Sequence, residues 1–138
     1  MNTVNVNIIE GGQKGTRNLI LSVFLQSDGA SGDLNKQVLL DPTSLGLPST
    51  SRFSLYRVHY NFAGFDGILE FDSGVVTPTF RWVLVEGANA PEDFEPLGGL
   101  KDLSGIDGTG KLMISTLGFN SSQDVGSIII KLRMPNDS

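Results

Sequence analysis

Val4-Asn5-Val6-Asn7-Ile8 alternates apolar and polar side chains at every step, the two-residue period of a strand with one buried face. The next strand outward, Asn18-Leu19-Ile20-Leu21-Ser22-Val23-Phe24-Leu25-Gln26, is apolar on both parities, which predicts a central strand covered on both sides. Between them Gly11-Gly12-Gln13-Lys14-Gly15 reads as a turn, and Ser27–Asp33 is turn-forming at nearly every position.

The same reading extends along the chain. A shorter strand at Lys36–Leu40 is stopped by Asp41-Pro42, because proline cannot donate to a ladder and displaces its predecessor from helical geometry. Thr43–Ser51 holds Gly46 and Pro48 and reads as loop. Phe53, Leu55 and Arg57 alternate with Ser54, Tyr56 and Val58, so this strand carries bulk on both faces. Phe65–Phe71 and Thr79–Val85 follow, the latter with Phe80, Trp82 and Leu84 on one face and Arg81 and Val83 on the other. Lys111–Leu117 and Ser127–Met134 close the chain, with Ile128, Ile130 and Leu132 in register. About eight strands at this spacing, with no 3.6-residue stripe anywhere, predict an all-β fold. A two-sheet antiparallel sandwich, jelly roll or related Greek key, is the first choice and a closed barrel the second.

Composition sets the limits on function. A chain of 138 residues forms one domain, 1–138, able to bury a core without staples. There is no cysteine and a single histidine, and the net charge is −5. Zinc sites take three or four cysteine or histidine ligands, so no metal or cofactor is expected. The ten basic residues are scattered, whereas binding to phosphates needs a clustered basic patch. Nucleic acid and anionic membranes are therefore not expected as partners. The amino terminus has neither a basic start nor an apolar run, so the expected site of synthesis is the cytosol.

Possible chemistry is sparse. His59 sits in Tyr56-Arg57-Val58-His59-Tyr60 with no nucleophile placed by a recognisable motif, which gives no basis for general-base catalysis. Asp28-Gly29, Asp33, Asp66-Gly67, Asp72 and Asp107-Gly108 put carboxylates in loops. Calcium sites of β-sandwiches are often built in such loops, but these lack the regular ladder of an EF-hand, and Asp-Gly is a hairpin-turn signal in its own right. Gly108-Thr109-Gly110-Lys111 lacks the full phosphate-loop spacing and precedes a strand rather than a helix. No catalytic residue is expected, and the chain is read as a non-enzyme. Phe53, Tyr56, Tyr60, Phe62 and Phe65 crowd one strand and its turn. They serve either as core packing or, if exposed, as stacking surfaces for sugar rings.

One stretch departs from the pattern. Gly87–Gly110 shows no two-residue period and contains Phe94, Leu97, Leu100 and Leu103 among prolines and glycines. Long loops without internal structure are uncommon in compact domains and are often functional. These side chains pack either on this domain or on a neighbouring subunit.

Several short stretches carry a resemblance. They are Gly15-Thr16-Arg17-Asn18, Leu40-Asp41-Pro42, Tyr56-Arg57-Val58-His59-Tyr60, Phe94 with Gly98-Gly99-Leu100, Gly108-Thr109-Gly110-Lys111, Ser115-Thr116-Leu117-Gly118, and Ile128-Ile129-Ile130-Lys131-Leu132. In order and spacing the chain resembles a group of small proteins encoded among the virion genes of tailed bacteriophages, several of which are β-sandwich or jelly-roll capsid decoration (cement) proteins. Where similar proteins carry Trp-Asp-Ala, this chain has Glu70-Phe71-Asp72-Ser73. The resemblance implies a virion structural protein on the capsid exterior, bound to the major capsid protein and clustered with copies of itself as homotrimers. Contacts are then expected from Phe94, Leu97 and Leu100, with Arg17 or the Val4–Ile9 segment as a second surface. The alternative is a carbohydrate- or receptor-binding module of a tail fibre or adhesin, using Tyr60 and Phe62.

Overall fold

The computed structural model describes residues 1–11, 17–73, 81–88, 91–103 and 108–134. Its strands are β1 (Thr3–Gly11), β2 (Asn18–Gln26), β3 (Gln37–Leu40), β4 (Ser54–Ala63), β5 (Asp66–Phe71), β6 (Arg81–Leu84), β7 (Gly87–Ala88), β8 (Glu92–Asp93), β9 (Leu100–Lys101), β10 (Leu112–Leu117) and β11 (Val125–Arg133). One sheet runs β1-β2-β11-β4, with β7, β8 and β9 each pairing on the far side of β4; the other runs β3-β10-β5-β6. The pairs are antiparallel and nested: β2 with β11, β3 with β10, β4 with β7–β9, and β5 with β6. A long ribbon folded over itself in this way is a jelly roll. About eight strands are expected from the sequence; the described residues form eleven, the three short strands β7, β8 and β9 lying in the segment read as loop. Both sheets end in edge strands, so the fold is an open sandwich and not a closed barrel.

Alternation builds the core. Leu19, Leu21, Val23 and Leu25 of β2 point inward with Val58, Tyr60 and Phe62 of β4 and Ile128, Ile130 and Leu132 of β11. They meet Leu69 and Phe71 of β5, Leu84 of β6, and Leu112 and Ile114 of β10 in a single cluster. At roughly 1.5–3 kcal/mol for each fully buried large side chain, this cluster outweighs every surface interaction in the molecule.

Two strand readings change. β2 is not covered on both sides: Ile20 and Ser22 are only half-buried and Phe24 is 39% exposed. Among the described residues, its outer apolar side chains are sheltered by neighbouring strands alone. In β4 the two loaded faces come from a bulge. The register with β11 slips between Lys131 and Leu132, so that Leu132 pairs with Leu55 while Lys131 pairs with Arg57. An extra residue reverses side-chain parity, so Leu55 before the bulge and Val58, Tyr60 and Phe62 after it all point inward. Trp82 packs against the core and Leu84 is buried, while Arg81 and Val83 are exposed, as read; Phe80 and the turn at 12–15 lie outside the described residues.

The Phe62 ring lies over two positions that lack a Cβ. A Cβ added at Gly126 would stand 2.5 Å from its Cδ1, and one at Gly67 would stand 2.8 Å from its Cε2. Phe62 stacks on Phe65 at 4.5 Å between centroids, and Phe65 meets Phe119 edge-on at 4.7 Å. Gly126→Ala is therefore expected to overpack this corner and to lower unfolding stability by about 1–3 kcal/mol. Urea denaturation checks this, and an unchanged midpoint would show that the ring has room to move.

Candidate functional site

The segment predicted as a long loop is an interrupted edge strand along β4. Gly87 and Ala88 pair with Phe62 and Asn61, Glu92 and Asp93 with Val58 and Arg57, and Leu100 and Lys101 with Leu55 and Ser54. Between β8 and β9 the chain makes a 3-10 turn at Glu95–Leu97, closed by Gly98 at φ 79°. Gly99 follows at φ 85°, and a Cβ there would lie 2.4 Å from the Tyr56 ring. Only glycine tolerates both the left-handed backbone and this approach. The Tyr56 ring also carries the Arg133 guanidinium at 4.5 Å from its centroid.

This geometry divides the expected contact residues. Phe94 is buried at 5% exposure and meets Trp82 edge-on at 4.9 Å. Its N–H donates to the Tyr56 carbonyl, and its own carbonyl accepts from the Leu97 and Gly99 N–H groups. Its ring belongs to the core of its own subunit and is not available to a partner, which corrects the expectation. Leu100 is half-buried against the same core. Leu97 at 75% and Leu103 at 74% exposure remain fully presented. Arg17 is exposed at the start of β2, its carbonyl accepting from the Met134 N–H. It lies at the same end of the sheet as β9, with β11 and β4 in between, about 14 Å across at the usual strand spacing. The Val4–Ile9 segment is the opposite edge of that sheet.

Two ion pairs fasten the segment to the outer face. Arg57 meets Asp93 at 3.1 Å and Lys131 meets Glu95 at 3.3 Å. Both are solvent-exposed, so burial of Phe94, worth roughly 1.5–3 kcal/mol, holds the segment more firmly than they do. The Glu95 N–H and then the Arg57 guanidinium hold the Asp93 carboxyl below its usual range.

The remaining candidates have structural partners. Tyr60 and Phe62 are 3% and 1% exposed and cannot stack on a sugar. The Tyr60 hydroxyl accepts from the Val85 N–H, and burial pushes its phenol up. The loop carboxylates accept backbone N–H groups: Asp28 from Ala30 and Ser31, Asp33 from Phe119, Asp66 from Glu86, and Asp124 from Asn120 and Ser121. Asp72 accepts from Thr109, which fixes the Gly108–Lys111 turn, while the Arg52 guanidinium donates to the Gly108 carbonyl. Asp107 lies outside the described residues. His59 points to the outer face, in register with Ile129 of β11.

One surface was missed by sequence reasoning. On the outer face of the larger sheet, a shallow groove of about 170 Å³ is lined by Phe24, Asn61, Ala63, Val125, Gly126 and Ser127. The only available sign was the break in β2 alternation at Phe24. Around it, three successive rows of outward residues are uncharged. They are Thr3, Gln26, Val125 and Ala63; then Asn5, Phe24, Ser127 and Asn61; then Asn7, Ser22, Ile129 and His59.

No family model, curated protein or solved structure matches the chain. Among the described residues no helix is long and apolar enough to cross a membrane.

Gly99→Ala is expected to cost about 1–3 kcal/mol through positive-φ strain and contact with Tyr56. The loss should appear as faster proteolysis between Glu92 and Leu103, and unchanged cleavage would refute it. The Asp93 carboxyl is lowered on folding, so its contribution is complete above the ordinary aspartate range, near 3.9. It disappears as pH falls through the folded value. NMR should show the Phe94, Leu97 and Gly99 amide signals stable from pH 7 to 5 and shifting only in stronger acid. Asp93→Asn should reproduce the acid pattern at pH 7.

Proposed function

We propose that this chain is a non-enzymatic interaction protein, a rigid jelly roll whose product is a surface. The observation that carries this reading is the pair of presented leucines, Leu97 and Leu103, on a segment anchored to the core by Phe94 and Leu100. An apolar side chain fixed at the tip of a tight turn loses little freedom on docking. A fully buried leucine contributes roughly 1.5–3 kcal/mol.

Within that class, the chain acts as a capsid decoration protein of a tailed bacteriophage. It binds the outer surface of the major capsid protein, together with further copies of itself, and stabilises the head. The motif resemblance described above supports this, as does an acidic, cysteine-free scaffold suited to a particle exterior. Individually weak contacts gain strength on a lattice through high effective concentration. Purified protein added to capsids that lack it should co-sediment with them at micromolar concentration. Leu97→Asp combined with Leu103→Asp should leave the fold intact and release it to the supernatant. Wild-type protein that stays wholly in the supernatant would overturn the reading.

A second reading, the carbohydrate- or receptor-binding module, draws on a different observation. Phe24, the Asn61 amide and the Ser127 hydroxyl line an uncharged groove of the kind that suits a neutral sugar ring. Glycan-array binding lost on Phe24→Ala would favour it, and a silent array would remove it.

A further inference from the structure

The edges of the two sheets are defended unequally. A bare strand edge presents unpaired N–H and C=O groups, and stable proteins blunt it with charge, proline, shortness or interruption. β6 opens on the exposed Arg81. β3 is four residues long and flanked by Lys36 and Asp41-Pro42. The edge along β4 is broken into two-residue pieces. β1 has little of this protection. It spans nine residues and pairs with β2 alone, so among the described residues no strand lies on its outer side. From Thr3 to Ile9 it carries no charge and no proline. Ile8 and Ile9 are 48% and 59% exposed. Its entry is fixed by Asn2, whose Nδ2 donates to the Gly32 carbonyl at 2.9 Å and whose Oδ1 accepts from the Asp28 N–H at 3.0 Å.

We infer that β1 is the contact between two copies of this chain, paired antiparallel about a twofold axis through Val6, so that their larger sheets become one continuous sheet. The side-chain pattern carries the argument. A twofold axis perpendicular to the sheet keeps both inner faces on the same side, so opposing residues share parity. With the axis at Val6, Val4 faces the partner's Ile8, Asn5 faces the partner's Asn7, and Val6 faces the partner's Val6. Apolar side chains then meet apolar ones on the core side, and amides meet amides on the outer side. The half-exposed Ile8 gains cover, and the pairs from Val4 to Ile8 match, while Thr3 at the end of the stretch faces the partner's Ile9.

Charge points to the same occupant. Each copy carries −5, so self-association is opposed wherever acidic surfaces meet. Thr3–Ile9 is a stretch where that repulsion is absent at contact distance. The register with β2 slips by one residue between Ile8 and Glu10, so the first acidic side chain comes only after the bulge. The result is a twofold pair in place of the threefold cluster that the resemblance implies.

Sedimentation velocity on the purified chain tests this without any capsid, so the outcome is independent of the docking proposal. At about 100 µM, where a micromolar contact is saturated, wild-type protein should be a dimer. The double variant Asn5→Lys with Asn7→Lys places like charges opposite each other twice and should weaken the dimer about tenfold. Asn5→Glu with Asn7→Lys places opposite charges at the same two contacts and should restore the dimer in a salt-sensitive way. Asn5 and Asn7 are exposed, so both variants should keep the wild-type circular-dichroism spectrum and melting temperature. A wild-type monomer or trimer overturns the proposal. So does a dimer indifferent to both double variants, while a monomer that captures an extended capsid-protein segment would assign the edge to that partner instead.

Discussion

Nine residue pairs, from Asn18 with Arg133 to Gln26 with Val125, join the second strand to the last without a register slip. This ladder is the seam of the molecule. It lies at the centre of the larger sheet, and its inward side chains alternate from both strands to form the floor of the core. Closing the long loop between strands so far apart in sequence costs entropy that grows only slowly with length. The apolar area buried beneath the ladder offsets that cost. The other pairings nest inside it in sequence: β3 pairs with β10 in the second sheet, and β4 is held because β11 supplies its partner.

The same seam explains why the segment after β6 is useful in pieces. An unbroken strand along β4 would point alternate side chains inward and outward with no freedom to present a chosen one. Interrupting the ladder after Asp93 lets the chain turn Phe94 into the core, lift Leu97 out, and return to pairing at Leu100. The two left-handed glycines make the return possible within two residues. The surface at this edge is thus produced by backbone geometry, while the opposite edge of the sheet stays long and regular.

Legibility in the sequence followed how much ladder each residue belongs to. β1 and β11 were readable because Val4, Val6 and Ile8 and then Ile128, Ile130 and Leu132 alternate with their neighbours, enough for a two-residue period to stand out; β2 and β10 showed only as largely apolar runs, which is why the exposed face of β2 was not foreseen. β4 showed bulk on both faces because the bulge at Tyr56 switches parity, and nothing local to the sequence marks that insertion. The short ladders of β7, β8 and β9 were invisible, since two residues cannot display a period. For the same reason Phe94 and Leu97 looked equivalent: both are apolar residues in an aperiodic stretch, and only the turn between them sends one inward and the other out. The uncharged outer face is written across four strands, so it emerges only when their register is known.

The nested arrangement also constrains how the chain is made. The centre of the larger sheet is completed by the final strand, so a nascent polypeptide emerging from the ribosome holds β2 with its principal partner still unsynthesised. Apolar segments such as Leu19–Leu25 must wait until β11 has been made. Folding is then slow for the size, as in other topologies dominated by distant pairings. Losing β11 would leave β2 and β4 facing an empty lane at the centre of the larger sheet.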